Sequence, residues 1–379
     1  MESVGVMKKS HVKQILNIAF VVLLAVLTFI LIKNNSDGLT WEAVKSFFAS
    51  CNPWLIAGAV CCLLLFIVFE ALALHLILKK FGYKLRLHQS IAYSTSDIYY
   101  STITPSATGG QPASAFYMVR DGVSGGAAGF ALVFNLVCYT ASILLIGAIA
   151  FIYNFNEFLG YEFWSKFLIL LGLAMQIFLL IFFISCMVFH NAVLRIGNGL
   201  VHLLHKMHII KKEEKWLNKV QNAVKKYKTS YESIKHHKGL IVQVFLCNFI
   251  QRASNIAITA LVCVSISDLS FLELFMMQTL VTLGYNSFPL PGGSGAFEIL
   301  FSSIYLGAFA AGVGDIPMIM TRVITYYLAM ILCAVYTIIY HMVGGKKATA
   351  QASASACTCS AVSCSPSPDS AESNIKEGN

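Results

Sequence analysis

An arginine stands near the middle of the apolar stretch Gly239 to Val264, where a charged side chain is costly to hold in a membrane. Polar residues recur around Arg252 at spacings of three and four, on one face of the predicted helix: Asn248, Gln251, Asn255 and Thr259. Such a stripe must face protein or a cavity rather than lipid tails. Glu70, deep in an earlier apolar stretch, is a candidate partner for Arg252. A structural ion pair and a contact to a substrate both explain the pattern.

Two other segments are apolar but broken by proline and glycine. They are TPSATGGQPASAFYM, from Thr104 to Met118, and YNSFPLPGGSGAFE, from Tyr285 to Glu298. Neither can form one continuous helix. Irregular backbone at membrane depth is tolerated only where protein or a water-filled cavity surrounds it, so we predict two re-entrant broken-helix elements. The alternative is a pair of ordinary loops at the two membrane surfaces.

A half-helix that begins inside a membrane presents free N–H groups and the positive end of its dipole, which attract anions. A phospholipid phosphate is the obvious anion in a bilayer, although broken helices also bind metal cations and carboxylates. Glu298 is predicted to begin the half-helix after the second break, and Arg322 opens the last apolar stretch on the same side. We therefore expect Glu298 and Arg322 to pair, either structurally or around a substrate.

The elements that must position these residues follow from composition. Of 379 residues, 57% are apolar and only 12% are charged, whereas an average soluble domain has roughly a quarter charged residues. The sequence predicts an all-α, polytopic integral membrane protein, since about 20 apolar residues cross a hydrocarbon core. The predicted full spans are Val12–Ile32, Trp54–Leu78, Gly126–Tyr153, Lys166–His190, Gly239–Val264 and Met318–Val343.

Lysine and arginine concentrate in connections that fall on one side of the membrane if these six spans alternate. The basic connections are Lys79–Arg86, Asn191–Lys238 and the pair Lys346 and Lys347. This predicts a cell-membrane protein with both termini cytoplasmic. The first broken segment then enters from the cytoplasm and the second from outside, as in a pseudo-inverted repeat with a site near the midplane.

We predict a transmembrane domain over residues 1–345 and a disordered cytoplasmic tail over 346–379. Within residues 191–238, apolar side chains at helical spacing alternate with lysines. We expect this basic amphipathic segment to lie in the cytoplasmic interface, with its apolar face in lipid and its lysines on anionic headgroups. A purely topological anchor is the alternative, and nucleic-acid binding is not needed to explain it.

Catalytic signatures such as HExxH, GxSxG and a phosphate-binding P-loop do not occur in the sequence. We therefore predict no catalytic residues, no cofactor and no metal site.

Three motifs together resemble the membrane domain of lysylphosphatidylglycerol synthases, a flippase-like family. They are TPSATGGQPASAFYMVRDGVS, YNSFPLPGGSGAFEILF and RVITYYLAMIL, in this order and spacing. The resemblance covers nearly the whole chain except the tail. It implies a helical membrane fold with two re-entrant elements and a role in moving lysylphosphatidylglycerol to the outer leaflet, which accompanies resistance to cationic antimicrobial peptides. The residues that it implies for the lipid pathway are Thr104, Pro105, Gly109, Gly110, Pro112, Pro291, Gly292, Gly293, Gly295, Glu298, Arg322, Tyr326 and Tyr327, to which the residue pattern adds Arg252.

The chain departs from the family pattern at Gln111, where many members have an acid, and at Ser114, where many have an arginine. We expect the chain to lack the soluble domain that transfers lysine from aminoacyl-tRNA, and therefore not to make the lipid by itself. We therefore expect a lipid translocator for lysylated or other anionic phospholipid. The alternative is the membrane component of a phosphatidylglycerol lysyltransferase whose catalytic domain is a separate partner. A homo-oligomer is compatible with either function.

Overall fold

In the computed structural model, residues 45, 51–104, 107–189, 199, 202, 213–286, 295–305, 309 and 316–343 are described. The predicted span Val12–Ile32 and the predicted tail 346–379 lie outside them. Every regular element in the described part is helical: α1 Pro53–Lys80, α2 Leu87–Ile103, α3 Gly110–Arg120, α4 Gly125–Tyr153, α5 Phe155–Gly160, α6 Phe163–Val188, α7 Glu213–Lys235, α8 Lys238–Val264, α9 Phe271–Tyr285, α10 Ala296–Ile304 and α11 Ile316–Val343.

Five of these helices are long and apolar enough to cross a membrane, and they have 26 to 29 residues each: α1, α4, α6, α8 and α11. At a rise of about 1.5 Å per residue, each exceeds the hydrocarbon thickness of about 30 Å. Their outer surfaces stay apolar, as on α6, where Phe178 is 59% exposed and Ile181 is 60% exposed. The predicted polytopic all-α fold is thus confirmed, with five of its six spans in the described part.

Residues 51–334 of the described part belong to one compact unit, Met1–Ala334, which contains every residue of the site below. A second unit comprises Val335–Asn379, in which the described residues 335–343 are helical.

The helix ends follow local sequence. Asn52 caps α1 by accepting a hydrogen bond from the Trp54 N–H at 3.0 Å, with Pro53 at the first helical position. Ser270 and Glu273 form a capping box at the start of α9, where Glu273 accepts from the Ser270 N–H at 2.7 Å. This hydrogen bond lowers the pKa of Glu273 below its usual value of 4.5.

α2 and α3 form a first hairpin, with 17 and 11 residues, too short to cross a bilayer. Its two outer ends lie together, because Tyr93 near the start of α2 donates to Asp121 Oδ2 just after α3, at 2.8 Å. The Tyr83 hydroxyl, between α1 and α2, also donates to Ser124 at the start of α4, at 3.0 Å. The first hairpin thus enters and leaves the bundle at one end, as expected for a re-entrant element.

α9 and α10 form a second hairpin, with 15 and 9 residues. The Tyr305 hydroxyl, just after α10, donates to the Leu274 carbonyl in the first turn of α9 at 3.1 Å, so its outer ends also lie together. Cys51 before α1 contacts Ser265 after α8 at 3.1 Å, so α1 and α8 are antiparallel. Because the hairpins follow the carboxyl ends of these two helices, they enter the bundle from opposite ends, as the inverted-repeat prediction requires.

The basic helix α7 does not direct its apolar face into lipid, so that prediction is wrong. Tyr227 is 7% exposed and Ile234 is 3% exposed. The Tyr227 ring meets the Phe130 ring of α4 edge to face at 5.0 Å, and its hydroxyl donates to the Cys186 carbonyl of α6 at 3.2 Å. Burial raises the pKa of the Tyr227 hydroxyl. The apolar face of α7 therefore packs on α4 and α6.

Candidate functional site

A cavity of about 500 Å³ lies where the inner end of the first hairpin meets the middle of α1, α4 and α8. Asn286, at the inner end of α9, and Tyr326 of α11 also line it. Its polar lining residues are buried or half-buried, and they include Glu70, Asp97, Gln111, Tyr139, Gln251 and Arg252. Polar groups from both hairpins therefore face one cavity.

Arg252 reaches the cavity from α8 and is only 7% exposed. Its Nη1 group donates to the Tyr139 hydroxyl at 2.9 Å, and its guanidinium lies 4.0 Å from the centre of the Tyr139 ring and 5.0 Å from that of Phe66. Its Nε atom has no hydrogen-bond partner among the described residues. A buried cation held by one hydroxyl and two ring faces keeps donor capacity for an anionic ligand.

The polar stripe of α8 is confirmed as inward-facing. Asn248 is fully buried and donates to Asn135 Oδ1 of α4 at 2.9 Å, while Gln251, 2% exposed, donates to Glu70 Oε2 of α1 at 3.1 Å. The expected partnership of Arg252 with Glu70 is indirect. Both line the cavity, and Glu70 takes its hydrogen bonds from Gln251 and Ser94 instead.

Asp97 is an acid that the sequence patterns did not single out. It lies on α2, is 7% exposed, and accepts hydrogen bonds from Ser101 at 3.2 Å and from Gln111 at 2.5 Å. Ser94, which donates to Glu70, lies one turn before Asp97 on α2, so the two acids lie near each other on the cavity. The Asp97 helix is rich in serine, threonine and tyrosine, which hid the residue in a polar background; an acid within a segment apolar enough to enter the membrane is the signal that could have found it.

A second polar cluster joins the second hairpin to α11. Arg322 donates from Nη2 to Glu298 Oε1 at 3.1 Å and from Nε to the same oxygen at 3.3 Å, so the expected pairing is confirmed. The Arg322 guanidinium lies 3.9 Å from the centre of the Phe297 ring. Glu298 also accepts from the Gly295 N–H at 2.5 Å, which caps α10. Neither Arg322 nor Glu298 lines the cavity.

Directly after Arg322 the helix widens into a π-helical turn, Val323–Leu328. The Tyr326 hydroxyl in this turn donates to the Thr102 carbonyl at the inner end of α2, at 3.0 Å, and its ring packs edge to face against Tyr327 at 5.2 Å. π-Helical turns inside α-helices are frequent at functional sites.

The first motif is held by short-range contacts. Thr104 accepts from the Gly109 N–H at 2.9 Å and donates to the Tyr100 carbonyl at 2.6 Å. A Cβ on Gly110 would lie 2.6 Å from the Asp97 carbonyl oxygen, so α2 and α3 meet there only because this residue has no side chain. Pro112 lies in the first turn of α3, where its missing N–H costs no hydrogen bond. In the second motif, Gly295 directly before α10 has a φ of +86°, a backbone conformation that favours glycine.

Several predicted site residues lie outside the described residues, and the structure brings some of the others into two groups, while Thr104, Gly109, Gly110, Pro112 and Tyr327 belong to neither. Pro105, Pro291, Gly292 and Gly293 are the ones outside. Arg252 and Tyr326 line the cavity, whereas Glu298 and Arg322 form the separate cluster at the second hairpin.

Comparison with known proteins relates the chain to membrane proteins. The family described as the lysylphosphatidylglycerol synthase TM region matches residues 14–333. A protein named UPF0104 membrane protein from Archaeoglobus fulgidus is 22% identical over 308 residues, which are 79% of this chain and 89% of that protein. Together with five helices able to cross a membrane, these matches identify a multi-pass membrane protein.

Proposed function

Because the chain belongs to the family of lysylphosphatidylglycerol synthase membrane regions, we propose that it moves phospholipid between membrane leaflets through the cavity between its two hairpins. The substrate class is an anionic or lysylated phospholipid, such as phosphatidylglycerol or lysylphosphatidylglycerol. The observation that carries the proposal is Arg252, a buried cation with an unpartnered Nε on a polar cavity inside a bundle of membrane-crossing length.

The size and lining of the cavity support a headgroup as its ligand. A volume of about 500 Å³ falls within the range of small-molecule sites, roughly 300–1,000 Å³. Arg252 supplies a planar donor group suited to a phosphate, and Tyr139 holds that group in place. The apolar surface of the surrounding helices suits the acyl chains, which stay in hydrocarbon while the headgroup crosses.

The two hairpins supply the parts that would open to either side. Each enters from its own end of the bundle, and both have inner ends near the cavity. We assign the proline and glycine residues of both motifs, with Thr104, Glu298, Arg322, Tyr326 and Tyr327, to the pathway that the lipid follows. Breaks of this kind in transporter helices place free backbone groups at a midplane site.

The membrane orientation is part of the proposal. We place both termini in the cytoplasm and the protein in the cell membrane, since the basic connections would all be cytoplasmic. The lysines on the exposed face of α7 would then concentrate anionic lipid near the end of the bundle where the first hairpin enters, because juxtamembrane basic segments attract anionic headgroups. We expect a gain of lysylated lipid in the outer leaflet to protect the cell against cationic peptides.

A leaflet-resolved assay tests the proposal. Vesicles of phosphatidylglycerol and phosphatidylethanolamine, with and without the purified chain, receive fluorescent phosphatidylglycerol in one leaflet, and a membrane-impermeant quencher reports the fraction that has crossed. We expect faster crossing with the chain and a loss of about tenfold or more in Arg252→Gln, since a charged hydrogen bond contributes about 1.5–3 kcal/mol. Lys166→Gln, which removes a surface cation that contacts the Leu159 carbonyl, is the matched control. Crossing no faster than in empty vesicles would refute the transport function.

A further inference from the structure

Two carboxyl groups share the cavity with Arg252, and the lipid pathway alone does not explain them. Glu70 is 6% exposed on α1 and Asp97 is 7% exposed on α2, so the pair bridges a continuous helix and the first hairpin. Both line the cavity, and Ser94, one turn before Asp97 on α2, donates to Glu70, so the two carboxyl groups lie near each other. Holding two ionised carboxylates on one buried cavity is costly, because like charges repel and burial disfavours the charged form, and one bound proton relieves this cost.

The surroundings hold the pair in place with neutral donors. Ser94 and Gln251 both donate to Glu70 Oε2 at 3.1 Å, while Ser101 and Gln111 donate to Asp97. No ion pair to a cation holds either carboxylate among the described residues. Two like charges at this depth disfavour joint ionisation, so one proton is bound more readily than none.

Two glutamine side chains beside the pair indicate a ligand that donates hydrogen bonds. Gln251 and Gln111 each use the amide nitrogen on a carboxylate, and their Oε1 atoms have no partner in the described part of the chain. Gln251 is 2% exposed, so its oxygen is a buried acceptor on a cavity wall. Together with the two acids, these oxygens give the cavity wall many hydrogen-bond acceptors. Water molecules could donate to them and deliver a proton.

The titratable and charged groups that face the pair come from several elements. Arg252 of α8, Tyr139 of α4 and Tyr326 of α11 line the same cavity, and Cys333 of α11 lies near Glu70. With one proton on the acids, the pair carries one negative charge, which Arg252 balances. Without the proton, the cavity carries one net negative charge and repels an anion.

We propose that Glu70 and Asp97 together bind one exchangeable proton. This proton crosses the membrane together with an anionic lipid headgroup and so drives lipid transport. The inference rests on the proposed lipid function and names its energy source. On loading, a proton from water binds one carboxylate oxygen and the headgroup phosphate binds Arg252. On release, the O–H bond breaks, the proton returns to water on the other side, and the pair is left as two carboxylates that expel the anion.

The proton site can be tested without any transport. Infrared difference spectra of the purified full chain, recorded as the pH is raised, should show a protonated carboxyl band that disappears on titration. We expect Glu70→Gln and Asp97→Asn to lose this band, and Asp97→Glu to retain it. Glu232→Gln, which changes an acid on α7 that pairs with Lys235, is the matched control and should keep the band. Circular dichroism and gel filtration check that each variant is folded. Unchanged bands in both folded cavity variants would overturn the inference.

Vesicles with a pH difference across the membrane test the coupling. Crossing of fluorescent phosphatidylglycerol should be faster toward the alkaline side in the wild-type chain, and Asp97→Asn should abolish that dependence. A sodium gradient at equal pH should have no effect. Lipid crossing that ignores the pH difference, or that follows sodium, would refute proton coupling while leaving the transport function intact. Absence of any crossing would refute the transport function, and the infrared measurement would still decide whether the pair holds a proton.

Discussion

The side-chain amide of Gln111 donates to Asp97 Oδ2 across 2.5 Å and joins α3 to α2 just inside the break of the first hairpin. Here the neutral amide is matched to a neighbouring carboxylate, because a second acid would place like charges in contact inside the bundle.

Gln111→Glu is therefore expected to destabilise the protein. The new carboxyl group loses the hydrogen bond to Asp97 and adds a like charge beside it, and we expect a loss of about 1–3 kcal/mol. Thermal unfolding in detergent, followed by a thiol-reactive dye, measures the change. Gln221→Glu on the exposed face of α7 is the control and should change stability little. Equal effects of the two substitutions would contradict the assigned contact.

Arg322 and Glu298 should be energetically coupled. Their side chains are 11% and 33% exposed, so water screens the pair only in part. A double-mutant cycle with Arg322→Gln and Glu298→Gln is expected to give a coupling energy of about 1 kcal/mol. The free energy of unfolding of the four proteins provides it. Strict additivity would mean that the two charges stabilise the protein independently.

Gly126 sets the distance between α4 and α7. A Cβ at this position would clash with the Ala223 carbonyl and lie 2.9 Å from its carbon, whereas nothing lies within 4 Å of a Cβ at Gly129. Gly126→Ala should displace α7 and make its lysines more accessible to trypsin. Gly129→Ala, one turn away, should leave digestion unchanged and favour the helix slightly. Digestion at one rate in both variants would show that α7 does not depend on this approach.

The capping box of α9 should weaken in acid. The hydrogen bond from Ser270 lowers the pKa of Glu273 in the folded protein below its unfolded value of 4.5. The stabilisation is therefore fully present above about pH 4.5 and is lost as pH falls through the folded pKa. Ser270→Ala should lower the midpoint temperature of thermal unfolding at pH 6. In this variant the midpoint temperature should also decrease less as the pH is lowered to 3. A midpoint with the same acid dependence in both proteins would argue against the box.

Much of the fold could be predicted because spans follow from length and hydropathy alone. The ends were harder to predict. The span predicted from Lys166 begins three residues after the observed start of α6 at Phe163. The charge of Lys166 does not end the helix, because its side chain reaches back to the Leu159 carbonyl at 2.7 Å. The apolar face of α7 was visible as periodicity, yet periodicity does not say whether lipid or protein covers that face.

The candidate site was predictable only in part. Arg252 stood out because a charge inside an apolar span is rare, and the Glu298–Arg322 contact followed from the prediction that both lie on one side of the membrane. Asp97 lies in a helix with many hydroxyl groups, and its meeting with Glu70 depends on how α2 packs against α1. Contacts of that kind arise from tertiary packing and leave no mark on local spacing.

The widened turn Val323–Leu328 connects parts of the molecule that are far apart in sequence. At its start, Arg322 holds the second hairpin through Glu298, and one helical turn later Tyr326 holds the first hairpin through the Thr102 carbonyl. Two elements that enter from opposite ends are thus tethered to four consecutive peptide bonds of one helix. Since a displacement of either element would pull on the same short stretch of backbone, we expect the movements of the two hairpins to be coupled.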